Sequence, residues 1–171
     1  MKRLFSVLLC LVLCFSFTGC QKEETVQILK PVEFYYLQNT FSFTNSDTIL
    51  GSELWESAGH EDDLVYLIDL YFSGPQSDAL SLPFPKGCTV VSITTKNDAI
   101  TITVSDHFAK LTGMDLSVAC TCLAKTLAGL SGADTVIIQT RTQLLDGKKS
   151  ITIRDGVPIL SDDYIAPIQS E

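Results

Sequence analysis

Thr89-Val-Val-Ser-Ile-Thr-Thr-Lys-Asn-Asp-Ala-Ile-Thr-Ile-Thr-Val-Ser105 reads as a β-hairpin whose two arms agree on one register. Asn97-Asp98 is the turn, because Asn and Asp tolerate the left-handed backbone that a two-residue hairpin loop needs. Counting outward from that turn pairs Lys96 with Ala99, Thr95 with Ile100, Ile93 with Ile102 and Val91 with Val104. One face is therefore apolar. The other sets Ser92 opposite Thr103 and Thr94 opposite Thr101, so it is rich in hydroxyls. A slip of one residue would mix the two faces, so the pattern specifies its own pairing.

The dry face needs a cover, and an apolar helical pattern lies on each side of the hairpin. Upstream, Asp62 and Asp63 open a helix at its positive end, and Leu64, Leu67, Ile68 and Tyr71 recur at helical spacing until Gly74-Pro75 stops it. Downstream, 106–113 is a link carrying Phe108. A second helix runs from about Asp115 to Leu130, with Leu116, Ala119, Cys120, Leu123, Leu127 and Leu130 on one face and Gly132 at its end. Strands are expected over Val32–Gln38 and Thr135–Thr142. Asp146-Gly147 and Asp155-Gly156 bracket another at Ser150–Arg154, which makes a C-terminal β-hairpin. The stretch Phe41–Gly59 reads as an irregular loop with a short strand inside. Together these elements give an α+β fold, a two-layer sandwich of a mixed sheet with two helices on one face and the Ser/Thr face left open.

The chain begins with Met1-Lys2-Arg3 and an uncharged, mostly apolar run from Leu4 to Phe17, too short for a convincing span and suited to a secretory signal. Phe17-Thr18-Gly19-Cys20 resembles the lipobox of bacterial lipoproteins, in which the cysteine is acylated and becomes the first residue. That resemblance implies a signal peptide over 1–19 and a thioether-linked diacylglycerol on Cys20, whose two chains would make a stable anchor. Residues 20–31 then form a tether of polar and charged character, which reaches no further than roughly 35 Å over ten residues. Next come a domain over 32–160 and a flexible tail over 161–171.

Twelve basic and twenty acidic side chains become ten and twenty once Lys2 and Arg3 leave with the signal. A surface of this sign argues against nucleic acid and against electrostatic attachment to anionic lipid, so membrane contact is assigned to the diacylglycerol on Cys20. About 150 residues then remain, enough for one globular domain with a sizeable core. Of six cysteines, Cys10 and Cys14 lie in the signal, which leaves Cys88, Cys120 and Cys122. They read as small buried residues or free thiols, with one disulfide among them geometrically open. Cys120 and Cys122 are two apart on a helix and point to nearly opposite sides, which disfavours a shared metal.

No stretch carries a catalytic, cofactor or metal signature. Ser105-Asp106-His107 has the composition of a triad, but sequence neighbours rarely converge on one point. His60-Glu61-Asp62-Asp63 is explained by a helix start enriched in acids. The glycines form no phosphate loop. The sequence therefore predicts no enzyme, no cofactor and no metal site.

Several stretches together resemble the GerMN domain of sporulation and germination proteins of endospore-forming bacteria and of related lipoproteins. These are the helix closed by Gly74-Pro75, then Pro85-Lys86-Gly87-Cys88-Thr89, then Ile102-Thr103-Val104-Ser105-Asp106-His107-Phe108. The second helix, Val136-Ile137-Ile138 and Asp146-Gly147-Lys148 complete the match. The resemblance covers roughly 32–149 and implies a fold like the ring-building motif of secretion and sporulation assemblies. It departs in the Cys88 inserted before Thr89, and in having one copy where the sporulation protein has two in tandem. With no catalytic signature beside it, its implication is a non-enzymatic lipoprotein on the outer face of the cytoplasmic membrane, docking on envelope or spore-assembly proteins. The open hydroxyl face of the hairpin, Ser92, Thr94, Thr101 and Thr103, or an exposed strand edge is the expected place of docking. The alternative is an extracytoplasmic ligand- or cell-wall-binding lipoprotein that uses Tyr35, Tyr36, Trp55 and the 41–59 segment as an aromatic surface. Cys20→Ser is predicted to move the protein from the detergent phase to the aqueous phase on phase partitioning of cell extracts; retention in the detergent phase would remove the lipid anchor from this reading.

Overall fold

A computed structural model describes residues 30–39, 49–155 and 157–159. Cys20, the signal, most of the tether and the 161–171 tail lie outside them. Eight strands are formed: β1 (Pro31–Gln38), β2 (Leu50–Glu56), β3 (Leu80–Ser81), β4 (Val90–Lys96), β5 (Ala99–Val104), β6 (Thr135–Thr140), β7 (Ser150–Arg154) and β8 (Val157–Ile159). The helices are α1 (Leu64–Phe72) and α2 (Gly113–Ser131), with a 3₁₀ turn at Asp106–Lys110 before α2. The order helix, two strands, helix, strand, then closing hairpin is that expected from the sequence, in an α+β sandwich.

The β4–β5 hairpin has the predicted register from Lys96↔Ala99 out to Ser92↔Thr103, with Asn97 at φ 53° in the turn. At the far end a β-bulge intervenes. Val90, not Val91, lies opposite Val104, and Val91 is left out of the ladder with 37% of its surface exposed. The extra residue keeps two inward-facing valines paired at the price of an interrupted edge. Beyond the hairpin, β5 runs parallel to β6, joined by a crossover through α2, and β6–β7 and β7–β8 are antiparallel. The resulting mixed five-stranded sheet has the order β4-β5-β6-β7-β8.

The strands do not all join that sheet. β1 pairs antiparallel with β2 along its length, from Pro31↔Glu56 to Leu37↔Leu50, and β3 adds two residues at its other edge. This second, three-stranded sheet arises because the strand within 41–59 is long enough to claim β1. Phe34 and Tyr36 turn one face of β1 into the common core, where Tyr36 stacks on Tyr71 of α1 with ring centroids 5.0 Å apart.

The helix ends follow from local chemistry. The Asp63 carboxylate accepts the Tyr66 N–H at 3.0 Å and caps α1, and Gly132 closes α2 in the left-handed region at φ 71°. Helix α2 is buried on more than the predicted face, since Cys122, Ala124 and Thr126 are inside as well. The extra burial comes from β1. Tyr35 N–H points away from β2 and donates to Thr126 Oγ1 at 2.9 Å, while Tyr71 Oη donates to Tyr35 O at 2.9 Å. Two side chains thus do for Tyr35 what a neighbouring strand would otherwise do.

Thr126→Val keeps the shape of the side chain but leaves the Tyr35 N–H without its acceptor. It is predicted to lower stability by about 1–3 kcal/mol in urea unfolding, with Thr126→Ser close to the parent; equal midpoints for all three proteins would refute the role given to this bond.

Candidate functional site

The residues picked out as a docking face come together as predicted. Ser92 lies opposite Thr103 and Thr94 opposite Thr101, all on the side of the five-stranded sheet away from the helices, with Ser92 and Thr94 exposed and Thr101 and Thr103 half-buried. The inward phase is the buried Ile100, Ile102 and Val104. Parallel pairing carries the face onto β6, where Thr101 meets Ile137 and Thr103 meets Gln139. The antiparallel β7 then adds Thr152 and Ser150. Gln139 Nε2 donates to Thr103 Oγ1 at 3.0 Å and locks the middle of one row.

Ile137, Gln139, Ser150 and Thr152 were not anticipated as part of this surface. The signal was present in the alternation of Thr135–Thr140 and Ser150–Arg154, but the register between β5 and β6 crosses a whole helix and is not readable from either strand alone. At the turn end the row Lys96, Ala99, Thr135, Arg154 supplies two cations, and Arg154 Nε donates to Thr135 Oγ1 at 3.4 Å. No carboxylate occupies this face within β4–β7, although the chain carries twenty acidic residues. It is a surface of hydroxyls and one amide around Ile137, able to pack or hydrogen-bond without desolvating a negative charge.

The candidate chemical residues separate. Ser105 Oγ accepts the Thr89 N–H at 3.1 Å, and the Asp106 carboxylate accepts Thr142 N–H at 3.0 Å and Thr142 Oγ1 at 2.6 Å. Those bonds from Thr142 hold the Asp106 carboxyl below its ordinary titration range and tie the 3₁₀ turn to the β6–β7 loop. In the acidic cluster, His60 stacks on Tyr66 at 4.1 Å, Glu61 Oε1 accepts Ser57 Oγ at 2.6 Å and Asp63 caps α1. Asp63 thus serves the start of α1, while His60 and Glu61 are held by Tyr66 and Ser57. Among the described residues no three metal-ligating side chains come together, and no helix is long and apolar enough to cross a membrane.

Residues 41–48 of the alternative aromatic surface lie outside the described residues, and Tyr35, Tyr36 and Trp55 do not share one surface. Tyr36 is wholly buried, and Trp55 lies half-buried on Phe34 with its Nε1 donating to Glu53 Oε2 at 2.9 Å. Tyr35 is half-buried on the other side of β1, under the Lys125 ammonium at 4.8 Å. Alternation along β1 sends Tyr35 and Tyr36 to opposite faces, so they cannot share one surface.

No family model and no curated protein matches the chain. Solved structures do, two of them as follows. The tandem GerMN domains of the sporulation protein GerM from Bacillus subtilis match with a TM-score of 0.50 at 18% identity, over 71% of this chain and 43% of that one. A Clostridium perfringens protein assigned as a lipoprotein, in a 2.5 Å crystal structure, matches at 20% identity with a TM-score of 0.44, over 75% of this chain and 90% of that one. The chain thus spans less than half of the tandem protein, and the fold is GerMN-like.

The three remaining thiols are unpaired and buried. Burial pushes Cys88 up to about 11 and Cys120 and Cys122 up to about 12, from an ordinary 9.0. Near neutrality they are neutral core residues and poor nucleophiles. The folded chain holds thiol protons that the unfolded chain releases above about pH 9, so their contribution to stability is complete below that pH and is lost as pH rises through 11 to 12. Urea midpoints are predicted to fall between about pH 8 and about pH 10.5, less steeply for Cys120→Ala; a midpoint that stays level would contradict burial of these groups.

Proposed function

We propose that this protein is a non-enzymatic lipoprotein, held at the outer face of the cytoplasmic membrane through Cys20, whose GerMN-like domain docks on proteins of the cell envelope. The observation that carries the reading is the open face of the five-stranded sheet: free of carboxylates within β4–β7 of an acidic chain, and lined by Ser92, Thr94, Thr101 and Thr103 around Ile137. Such a face supplies hydrogen-bonding groups and packing area with no carboxylate to desolvate. Ser105 and Asp106 are engaged in hydrogen bonds to backbone amides and the three thiols are buried, which supports a binding role over chemistry. A sporulation or germination setting is the finer part of the proposal, and it is supported by the likeness to the tandem GerMN domains.

In-cell crosslinking of the full-length protein in growing and sporulating cultures, read by mass spectrometry, tests this. One defined envelope complex is expected, enriched in sporulating cells and lost in Thr101→Glu and Thr103→Glu variants whose melting temperatures match the parent. Equal recovery of bulk envelope proteins from both cultures, or crosslinks indifferent to the two substitutions, would defeat the docking reading.

A further inference from the structure

The outer edge of β1 is closed along most of its length and open at one end. Asn39 N–H donates to Ala79 O at 2.9 Å, Leu37 and Gln38 pair with β3, and Thr126 and Tyr71 take the two backbone groups of Tyr35. Glu33 is two residues back in the same phase of the ladder. Its N–H and C=O therefore point to the same side as those of Tyr35, away from β2. No described residue bonds to them there, and Pro31 beyond offers a carbonyl but no N–H.

These groups open onto a cleft of ≈ 560 Å³ between the β1 edge, the C-terminal half of α2 and the ends of β6 and β7. Ala124, Ala128, Val136 and Ile153 line it with apolar surface. The rim is charged and only partly compensated. Lys125 is committed to the Tyr35 ring, and Lys30 lies beside Glu61, whose carboxyl it helps to hold low after the larger effect of the Ser57 hydroxyl. The Asp62 and Asp134 carboxylates, also at the cleft, make no hydrogen bond or ion pair to a described residue.

We propose that this cleft binds a short extended peptide, which adds to β1 as a strand by exchanging backbone hydrogen bonds with Glu33 and brings a cationic side chain to Asp62 and Asp134. The free edge from Pro31 to just short of Tyr35 spans about four residues, roughly 13 Å at strand rise. Backbone pairing supplies affinity in this mode, and the apolar lining and the two carboxylates supply selection. The cleft lies on the helix side of the five-stranded sheet, so it is separate from the Ser/Thr face, and the two roles stand or fall independently.

The test uses full-length protein in detergent micelles, labelled with ¹⁵N-glutamate, and an acetylated, amidated tetrapeptide of alternating valine and lysine. The Glu33 amide resonance, assigned with Glu33→Gln, is expected to shift saturably and to exchange with solvent about tenfold more slowly in the complex. N-methylation of the two central peptide nitrogens is expected to abolish the shift, a perturbation that leaves the protein untouched. Asp62→Asn with Asp134→Asn should weaken binding about five- to tenfold, and a valine–glutamate peptide should bind at least that much more weakly. The proposal is overturned by a Glu33 amide that does not respond at millimolar peptide, or by equal binding of the N-methylated peptide.

Discussion

The hydrogen bonds that Thr126 and Tyr71 make to the backbone of Tyr35 join parts of the chain 91 and 36 residues apart. A part-buried amide and carbonyl without partners would be costly, and a third strand long enough to reach them is missing, since β3 contributes only Leu80 and Ser81. The helices meet that need with side chains. In doing so they fix the distance of α2 from β1 and the rotation of α1 about its own axis. The stack of Tyr36 on Tyr71 then follows from the same placement. Two sheets of different size are held around one core by a contact that belongs to neither.

This arrangement separates the surfaces of the molecule. The inward side of the five-stranded sheet packs against α2, which leaves its outward side as the open face. Among the described residues the carboxylates lie in turns, on the helices and in β1 and β2 rather than there. Where side chains close the edge of β1, the strand is inert; where they stop, at Glu33, the backbone remains available. The residues with familiar chemical names, His60, Ser105, Asp106 and the three thiols, serve the fold instead. They act as a ring stack, as caps for backbone amides, and as small core fillers whose burial keeps them protonated.

Much of this was legible in the sequence wherever the deciding interactions are local. The hairpin register follows from a two-residue turn and period-two alternation, and both helices follow from their apolar stripes and caps. The turns at Asn97 and Asp146 follow from residues that accept positive φ, seen at 53° and 50°. The docking face was readable for β4 and β5 for the same reason. What was not legible depends on partners distant in the chain. The pairing of β1 with β2 and the extension of the open face through Ile137 and Thr152 are decided by packing after the chain has folded back. The second buried side of α2 belongs with them, since Cys122 and Thr126 read as ordinary helix positions until β1 lies against them. The bulge at Val91 is a finer case. Val90 and Val91 are chemically equivalent, and only the geometry of the strand end chooses between them.

That bulge has a consequence for how copies of this chain behave when crowded. β4 is the outer strand of the five-stranded sheet, and an unbroken ladder there would offer a template for edge-to-edge growth. With Val91 displaced, the spacing of free amides and carbonyls along the edge falls out of step with that of a regular strand, and Lys96 places a charge at the other end. A second copy approaching side-on could match only a short run before losing registry. One surplus residue in a seven-residue strand therefore works against filament growth along this edge.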